Sequence, residues 1–492
     1  MENLFSAVLL LWDPYVLLAL LVGTVFGIVV GALPGLGSVL AITIALPFTY
    51  SMETMPSIAL ILAIYCASIY GGSVSAILIN TPGTPASAAT VLDGFPMTQQ
   101  GKADLALGWA TIGSLLGGLF SAVVLMIMAP QLADFALRFG AVETFSLIAL
   151  ALTCIAGVSR DSMIKGLLAG CFGLLLATVG ADTMSGTVRY NFGVFQLSSG
   201  FALIPVVVGI FAFSEVISRI GEKIGASEPV DYAGSRLPKL KEVLQRWKTL
   251  LRSSIIGTAI GIMPGTGAAT ASFIAYSDAK RFGRYKENFG KGEPEGVLAS
   301  ESANNAVTGG ALIPTLALGI PGDPVTAVMM SALIIHGITP GVRLFADHAV
   351  LMNASFIALF IANILFFIIG ILSAKWVAKI LRMPEPILLT IVMILSIVGT
   401  YGVSGNIFDV YISFIFGIVG YAFRLAAVPL APIVIGLVLG PPFEESLRQG
   451  LLINDGSFLA FFSLTEHPIS LVLILITLVI ITVSTFKELT KK

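Results

Sequence analysis

The stretch Gly27–Ser38 reads GIVVGALPGLGS. An apolar run meets Pro34-Gly35, and a second apolar run follows to Leu46. Proline removes a backbone donor, and glycine admits conformations closed to other residues. Both flanks are apolar enough to sit in lipid. There a broken helix is tolerated only where it is buried in protein or lines a wet cavity. The stretch recurs as Gly257–Ala268, GTAIGIMPGTGA. Gly27, Gly31, Pro34, Gly35 and Gly37 map onto Gly257, Gly261, Pro264, Gly265 and Gly267, all displaced by 230 residues. A lone Pro-Gly break would serve as a kink where helices cross; an ordered repeat asks for a common purpose.

Composition sets the medium. The 492 residues are 56% hydrophobic and only 11% charged, with a mean hydropathy of +0.96. Soluble domains carry about 25% charged residues. Many apolar runs approach the roughly 20 residues that cross a bilayer, so the chain reads as an all-α polytopic membrane protein. A net charge of −1 gives no case for nucleic acid. Cys66, Cys154 and Cys171 have no metal or redox spacing and are expected as buried, inert thiols. The N-terminus has no basic region of the kind that opens a cleaved signal peptide.

Charge then orders the segments. Residues 14–48 hold the first motif between two apolar arms. Spans are expected at Met55–Ile79, 105–129, 141–158, 163–180 and 200–218, with a polar loop after Ile79 reaching Lys102. Residues 219–252 form the one long polar segment, with eight basic residues (Arg219, Lys223, Arg236, Lys239, Lys241, Arg246, Lys248 and Arg252), so it is expected in the cytoplasm. The second motif, within 253–277, is followed by a further basic loop carrying Lys280, Arg281, Arg284, Lys286 and Lys291. An apolar stretch with a Pro-Gly break and basic loops at both ends must enter and leave on one side, as a re-entrant hairpin. Further spans are expected at 296–318, 349–374, 386–400, 407–422 and 428–441, with Lys375, Lys379, Arg382 and Arg424 inside. An acidic outer loop at 442–467 and a last span at 469–486 complete eleven. Counting back places residues 1–53 outside; they contain no Lys or Arg. The expected architecture is two inverted structural repeats, residues 1–218 and 253–447, joined by the linker 219–252. Each has a Pro-Gly-tipped re-entrant hairpin and about five spans, and residues 448–492 add a loop and a C-terminal helix. Further matches support the repeat: Pro82-Gly83-Thr84-Pro85 with Pro321-Gly322-Asp323-Pro324, Gly71-Gly72 with Gly309-Gly310, and Pro205 and Gly209 with Pro432 and Gly436.

Inverted repeats with matched breaks point to a secondary transporter whose site lies where the broken elements meet. The substrate-facing set is Pro34, Gly35, Leu36, Gly37, Ser38, Pro82, Gly83, Thr84, Ser87, Pro264, Gly265, Thr266, Gly267, Pro321, Gly322 and Thr326. Each break is followed by a run that can restart a helix, and a helix start offers free N–H groups to an anion. Thr84 and Asp323 read as N-caps with proline at the first helical position. Thr270 is a further hydroxyl donor. No arginine or lysine of the membrane core offers itself as a counter-ion, so coupling cations, Na+ or H+, are expected to share the charge. Their oxygen ligands would come from Asn80, Thr81, Asn304, Asn305, Thr308 and Asp323. Helix packing and hydrogen bonding between helices are the plainer uses of the small and polar residues. Glu215 is expected at the membrane interface, and His336, His348 and His467 in structural roles. A channel with half-helix hairpins is the alternative. No paired intramembrane acids, HExxH or GxxxxGK[ST] motif speaks for an enzyme or an ATPase. No organic cofactor is expected.

At these motifs the chain resembles the tripartite tricarboxylate transporter family, in its large membrane subunit, TctA. The matching stretches are GALPGLG (31–37), GGSVSAILINTPGTPASAATVLDGFPMTQQGKA (71–103), GIMPGTGAATASF (261–273), ESANNAVTGGALIPTLALGIPGD (301–323) and HGITPG (336–341). They run in family order along essentially the whole chain. Val342-Arg343 departs from the family pattern, where a second proline is expected. The resemblance implies a bacterial inner-membrane protein that takes up citrate-like carboxylates. It implies two partners, a small four-span membrane subunit and a periplasmic solute-binding protein. Uptake would be driven by an ion gradient, without ATP.

Overall fold

A computed structural model describes residues 2–157, 162–182, 184–220, 235–381 and 383–490. Lys223 and Arg382 lie outside the described residues. The chain runs α1 (Glu2–Leu11), α2 (Pro14–Ala32), α3 (Gly37–Thr49), α4 (Thr54–Ile79), α5 (Val91–Gln99), α6 (Ala103–Ala136), α7 (Ala141–Gly157) and α8 (Met163–Ala177). A short hairpin follows, β1 (Gly180–Ala181) pairing antiparallel with β2 (Val188–Arg189). Next come α9 (Leu203–Val208), a π-helical turn (Gly209–Phe213) and α10 (Ser214–Arg219). The second half holds α11 (Leu240–Gln245), α12 (Trp247–Ile262), α13 (Gly267–Phe282), α14 (Pro294–Leu318), α15 (Pro324–Ile335), α16 (Leu344–Asp347) and α17 (Ala349–Ile380). It ends in α18 (Glu385–Ser404), α19 (Ile407–Leu425), α20 (Ala431–Ile453) and α21 (Pro468–Thr490).

The protein is an all-α polytopic membrane protein. Seven helices are long and apolar enough to cross a bilayer: α2, α4, α6, α17, α18, α19 and residues Pro468–Phe486 of α21. The other expected spans are helices too, but shorter (α7, α8), interrupted by a π turn (α9–α10) or too polar (α14, α20). Two expectations need correction. The segment after Ile79 is not a plain loop. It folds into a 3₁₀ turn at Pro85–Ala88 and then α5, because Pro85 and the apolar residues of 91–97 restart helical structure. The last span of the second half does not stop at residue 441; α20 runs through Pro441-Pro442 to Ile453.

Both Pro-Gly motifs are hairpin tips. α2 turns at Leu33–Leu36 into α3, and α12 turns at Met263–Thr266 into α13. Gly35 and Gly265 sit at φ +76° and +84°, a left-handed conformation that needs glycine. The arms pack by close backbone approach. A Cβ on Gly27 would lie 2.8 Å from the Ile64 carbonyl oxygen, and one on Gly31 would overlap that of Ser68. On the other side, a Cβ on Gly257 would overlap the Ala303 oxygen, and one on Gly261 would lie 2.8 Å from that of Val307. The same contacts recur, shifted by 230 residues on one side and 239 on the other. This register also corrects the Gly-Gly match by one position. Gly71 abuts the Ile28 oxygen and Gly310 the Thr258 oxygen, so Gly71 corresponds to Gly310. Matching letters had aligned two glycine pairs that the contacts set one residue apart.

Two groups of helices result. α4 and α14 lie at the centre; α4 is buried along its whole length and α14 nearly so. Around them pack α2 and α3, α12 and α13, α6 and α17. Helices α7 to α10 and α18 to α21 form an outer group, with α20 against α7 and α8, and α19 against the π turn, while α1, α5, α15 and α16 pack on the inner group. Segments expected on one side of the membrane meet at one end. Arg189 pairs with Glu444 at 2.7 Å, Arg448 with Asp182 at 2.8 Å, and His467 with Glu143 at 2.8 Å. At the other end Gln100 donates to the Lys291 oxygen, Arg236 N to the Asp104 oxygen, and Lys165 to the Ala426 oxygen. The cysteines are less uniform than expected. Cys66 is buried, Cys154 is intermediate and Cys171 is exposed, because α8 turns that face away from the bundle.

Candidate functional site

Each hairpin tip packs on the second break of its own half. Gly265 N donates to the Gly322 oxygen at 2.8 Å. In the first half a Cβ on Gly83 would overlap the Gly31 oxygen and lie 2.8 Å from Gly72 Cα. Gly83 N donates to the Gly72 oxygen at 3.1 Å. Gly322 makes the equivalent approach to Ala311, with a Cβ 2.6 Å from its Cα. Pro34, Gly35, Leu36 and Gly37 thus stand beside Pro82-Gly83, and Pro264, Gly265, Thr266 and Gly267 beside Pro321-Gly322. The halves also touch. Ser272 of α13 donates to the Ala86 oxygen at 2.8 Å, and α15 packs against α3.

The capping expectation holds at Asp323. Its Oδ1 accepts from Thr326 N at 2.7 Å, Asp323 N donates to Thr326 Oγ1 at 3.0 Å, and Pro324 follows at the first helical position. This box fixes the start of α15 and aims its N-terminus at the break. Asp323 Oδ2 also accepts from the buried Tyr65 hydroxyl at 2.6 Å. Thr84 precedes only the 3₁₀ turn, and its side chain makes no capping bond to backbone. Thr84 and Ser87 instead bond each other through their hydroxyls at 3.1 Å, both buried. Thr266 Oγ1 is used within its own hairpin, donating to the Ile260 and Met263 oxygens. Asn80 is exposed, in a left-handed conformation (φ 56°) that ends α4, and Thr81 Oγ1 donates to the Ile79 oxygen. These two stand at a helix end, whereas Asn304, Asn305, Thr308 and Asp323 are buried.

Asn304 and Asn305 stand out chemically. Both are fully buried, and among the described residues neither amide makes a hydrogen bond of good geometry. Ser38 Oγ, at the restart of α3, is also buried and unpaired. An orphaned buried amide costs about 1–3 kcal/mol per group, and native proteins keep few of them. The 239-residue register places Asn304 where Tyr65 stands and Thr84 where Asp323 stands. By that register, positions 304 and 84 are the counterparts of the Tyr65–Asp323 pair. Buried amides on α14, paired hydroxyls after the first-half break and a proline-led helix start after the second-half break thus lie on or beside the central helices and the breaks. This is a set of donors and acceptors suited to a small anion with a cation beside it.

Two charged residues at the site were not singled out from the sequence. Glu301, one turn before Asn304 and Asn305, is fully buried. Glu301 opens the ESANN run, but nothing in the letters shows which hydroxyls face it. Arg219 corrects the expectation that no cation reaches the breaks. Its Nη1 donates to the Pro34 oxygen at 2.9 Å and to Glu385 at 2.8 Å, and its Nε to Glu215 at 2.5 Å. Arg424 completes the cluster on Glu215 at 2.6 Å. Glu215 is thus buried between two arginines, four residues from the end of α10. Arg219 lies 185 residues from Pro34 in sequence, which hid the contact. Both glutamates answer its charge, so it braces the tip.

Buried helices with paired, matched breaks around unpaired polar groups define a membrane transport protein. The chain belongs to the tripartite tricarboxylate transporter TctA family, whose profile matches residues 17–435. It is therefore a multi-pass membrane component of a tripartite system and works with partner subunits. It is similar to an uncharacterized 52.8 kDa protein in the TAR-I ttuC' 3'region of Agrobacterium vitis, 35% identical over 482 residues, covering 96% of this chain and 93% of that protein. An uncharacterized protein in the TAR-II ttuC' 3'region of Agrobacterium vitis is 38% identical over 206 residues, covering 42% of this chain and 85% of that protein. No solved structure matches.

Proposed function

We propose that this chain is the ion-coupled translocating subunit for a di- or tricarboxylate of the citrate type, in a bacterial inner membrane. A periplasmic binding protein delivers the substrate, and a small four-span subunit completes the membrane part. The N-terminus faces the periplasm and the C-terminus the cytoplasm. The observation that carries the reading is the pair of Pro-Gly-tipped hairpins, each packed on the second break of its own half, around a central helix α14 that carries the buried amides of Asn304 and Asn305. The substrate carboxylates accept from those amides, from Thr84 and Ser87, and from N–H groups at the starts of α3 and α15. Na+ or H+ offsets their charge. Membrane lipid surrounds the outer group, and no nucleic acid is involved.

The test is uptake of radiolabelled citrate into proteoliposomes that hold both membrane subunits, with the binding protein outside. Asn304→Ala and Thr84→Val are expected to lower uptake at least ~10-fold, on the order of 1.4 kcal/mol in substrate binding. Wild-type uptake in both would reject the site. Flux that never saturates and ignores the binding protein would reject a transporter in favour of a channel.

A further inference from the structure

Glu301 lies at the centre of the molecule, on α14, 0% exposed. Its carboxylate is held by hydroxyls from three other segments. Ser73 of α4 donates to Oε1 at 2.6 Å, Thr90 also donates to Oε1, and Ser114 of α6 donates to Oε2 at 2.9 Å. Among the described residues no Lys, Arg or His forms an ion pair with it. An ionised carboxylate buried without a partner costs several kcal/mol, and three neutral hydroxyl bonds offset only part of that. The site therefore favours a state in which a positive charge joins it. The donor set is all oxygen, which suits a hard cation or a proton. Hydroxyls can serve either state, because each donates to a bare carboxylate and accepts, or turns its lone pairs to a metal ion, once the carboxylate is neutralised.

A second observation points the same way. Asn304, one turn along on α14, is buried near the Glu301 carboxylate, and among the described residues its amide makes no hydrogen bond of good geometry. An amide has two unlike ends. Its oxygen suits a cation at Glu301, and its N–H groups suit a substrate carboxylate.

We infer that Glu301 with Ser73, Thr90 and Ser114 is the coupling-cation site, taking Na+ or a proton, and that Asn304 links its occupancy to that of the carboxylate site. This rests on the transport reading above and moves the centre of coupling from the exposed Asn80 and the half-buried Thr81 to Glu301. Linkage is reciprocal: if the cation strengthens carboxylate binding, the carboxylate strengthens cation binding by the same factor.

The experiment uses the complete three-component system in proteoliposomes, with radiolabelled citrate. One arm imposes a Na+ gradient at equal pH; the other imposes a pH gradient without Na+. The arm that drives wild-type accumulation names the cation. Glu301→Gln is expected to accumulate at least ~10-fold less in that arm and to lose the rise in melting temperature that the cation gives the wild type in detergent. Glu301→Asp is expected to keep part of both. If Glu301→Gln fails to fold, Ser114→Ala and Thr90→Val serve instead, and each is expected to raise the half-saturating cation concentration. Glu301→Gln, or both hydroxyl variants, with wild-type cation dependence would overturn the inference alone. Wild-type proteoliposomes that show no gradient-driven uptake would overturn the transport reading and the inference together.

Discussion

At the scale of single residues, the buried acids divide by what answers their charge. Asp93 of α5 is fully buried, and its Oδ1 accepts from the backbone N–H of Gly290, Gly292 and Glu293, each at 2.8 Å. Its Oδ2 accepts from Tyr276 at 2.9 Å. The carboxylate thus gathers donors that would otherwise be orphaned in the approach to α14. Asp93→Ala removes their acceptor, and we expect a loss of about 2–4 kcal/mol, read as a lower melting temperature in detergent; an unchanged melting temperature would contradict this role. Glu301 has hydroxyls but no such network of backbone donors, which is why it is assigned to a cation and Asp93 to structure. Asn304, Asn305 and Asp323 were legible in the sequence as polar groups in apolar surroundings. The roles of Glu301, Asp93 and Arg219 were not, because each depends on partners far along the chain. Asn80 shows the converse: a polar residue at a motif that the backbone uses to end a helix.

Among the elements, the hairpins were the most legible. The first spans 14–49 in the structure against an expected 14–48, since proline, glycine and flanking apolar runs act locally. Less legible were α5 and the short hairpin of β1 and β2, whose residues read as loop without their tertiary contacts. What local sequence does not reveal is how a tip is held. At Gly35 the backbone has φ +76°, and an added Cβ would overlap Arg219 Nη2. Gly35→Ala is therefore expected to act twice, through backbone strain of about 1–3 kcal/mol and through eviction of Arg219 from Pro34 and Glu385. A double-mutant cycle separates these. In an Arg219→Ala background the alanine at position 35 should cost less than in wild type, by an interaction energy on the order of 1 kcal/mol. Additive costs would show that Arg219 does not brace the tip.

For the whole molecule, the question is which parts move. The repeat is legible twice, first as letters and then as contacts, since Gly27 on Ile64 and Gly257 on Ala303 obey one register. Packing divides the helices into a group that carries both hairpins and an outer group. The seams between them are few. α3 meets α9, the π turn and α18, α15 meets α9 and α20, the Arg219 cluster ties the Pro34 tip to α10, α18 and α19, and Gly265 lies against Cys154 and Ile155. Arg219 ends α10 and Ile155 lies in the last turn of α7, so both tips rest near the ends of outer helices that face the basic loops. We predict that transport requires this group to slide along the outer helices. Pro47 of α3 and Gly399 of α18 provide the test, because a Cβ on Gly399 would lie 2.8 Å from Pro47 Cβ. In a chain with Cys66, Cys154 and Cys171 replaced, Pro47→Cys with Gly399→Cys should form a disulfide under mild oxidation. The bond is expected to stop citrate uptake, and reduction to restore it, while each single variant transports under both conditions. Complete cross-linking with full uptake would mean that the two groups translocate the substrate without moving past each other.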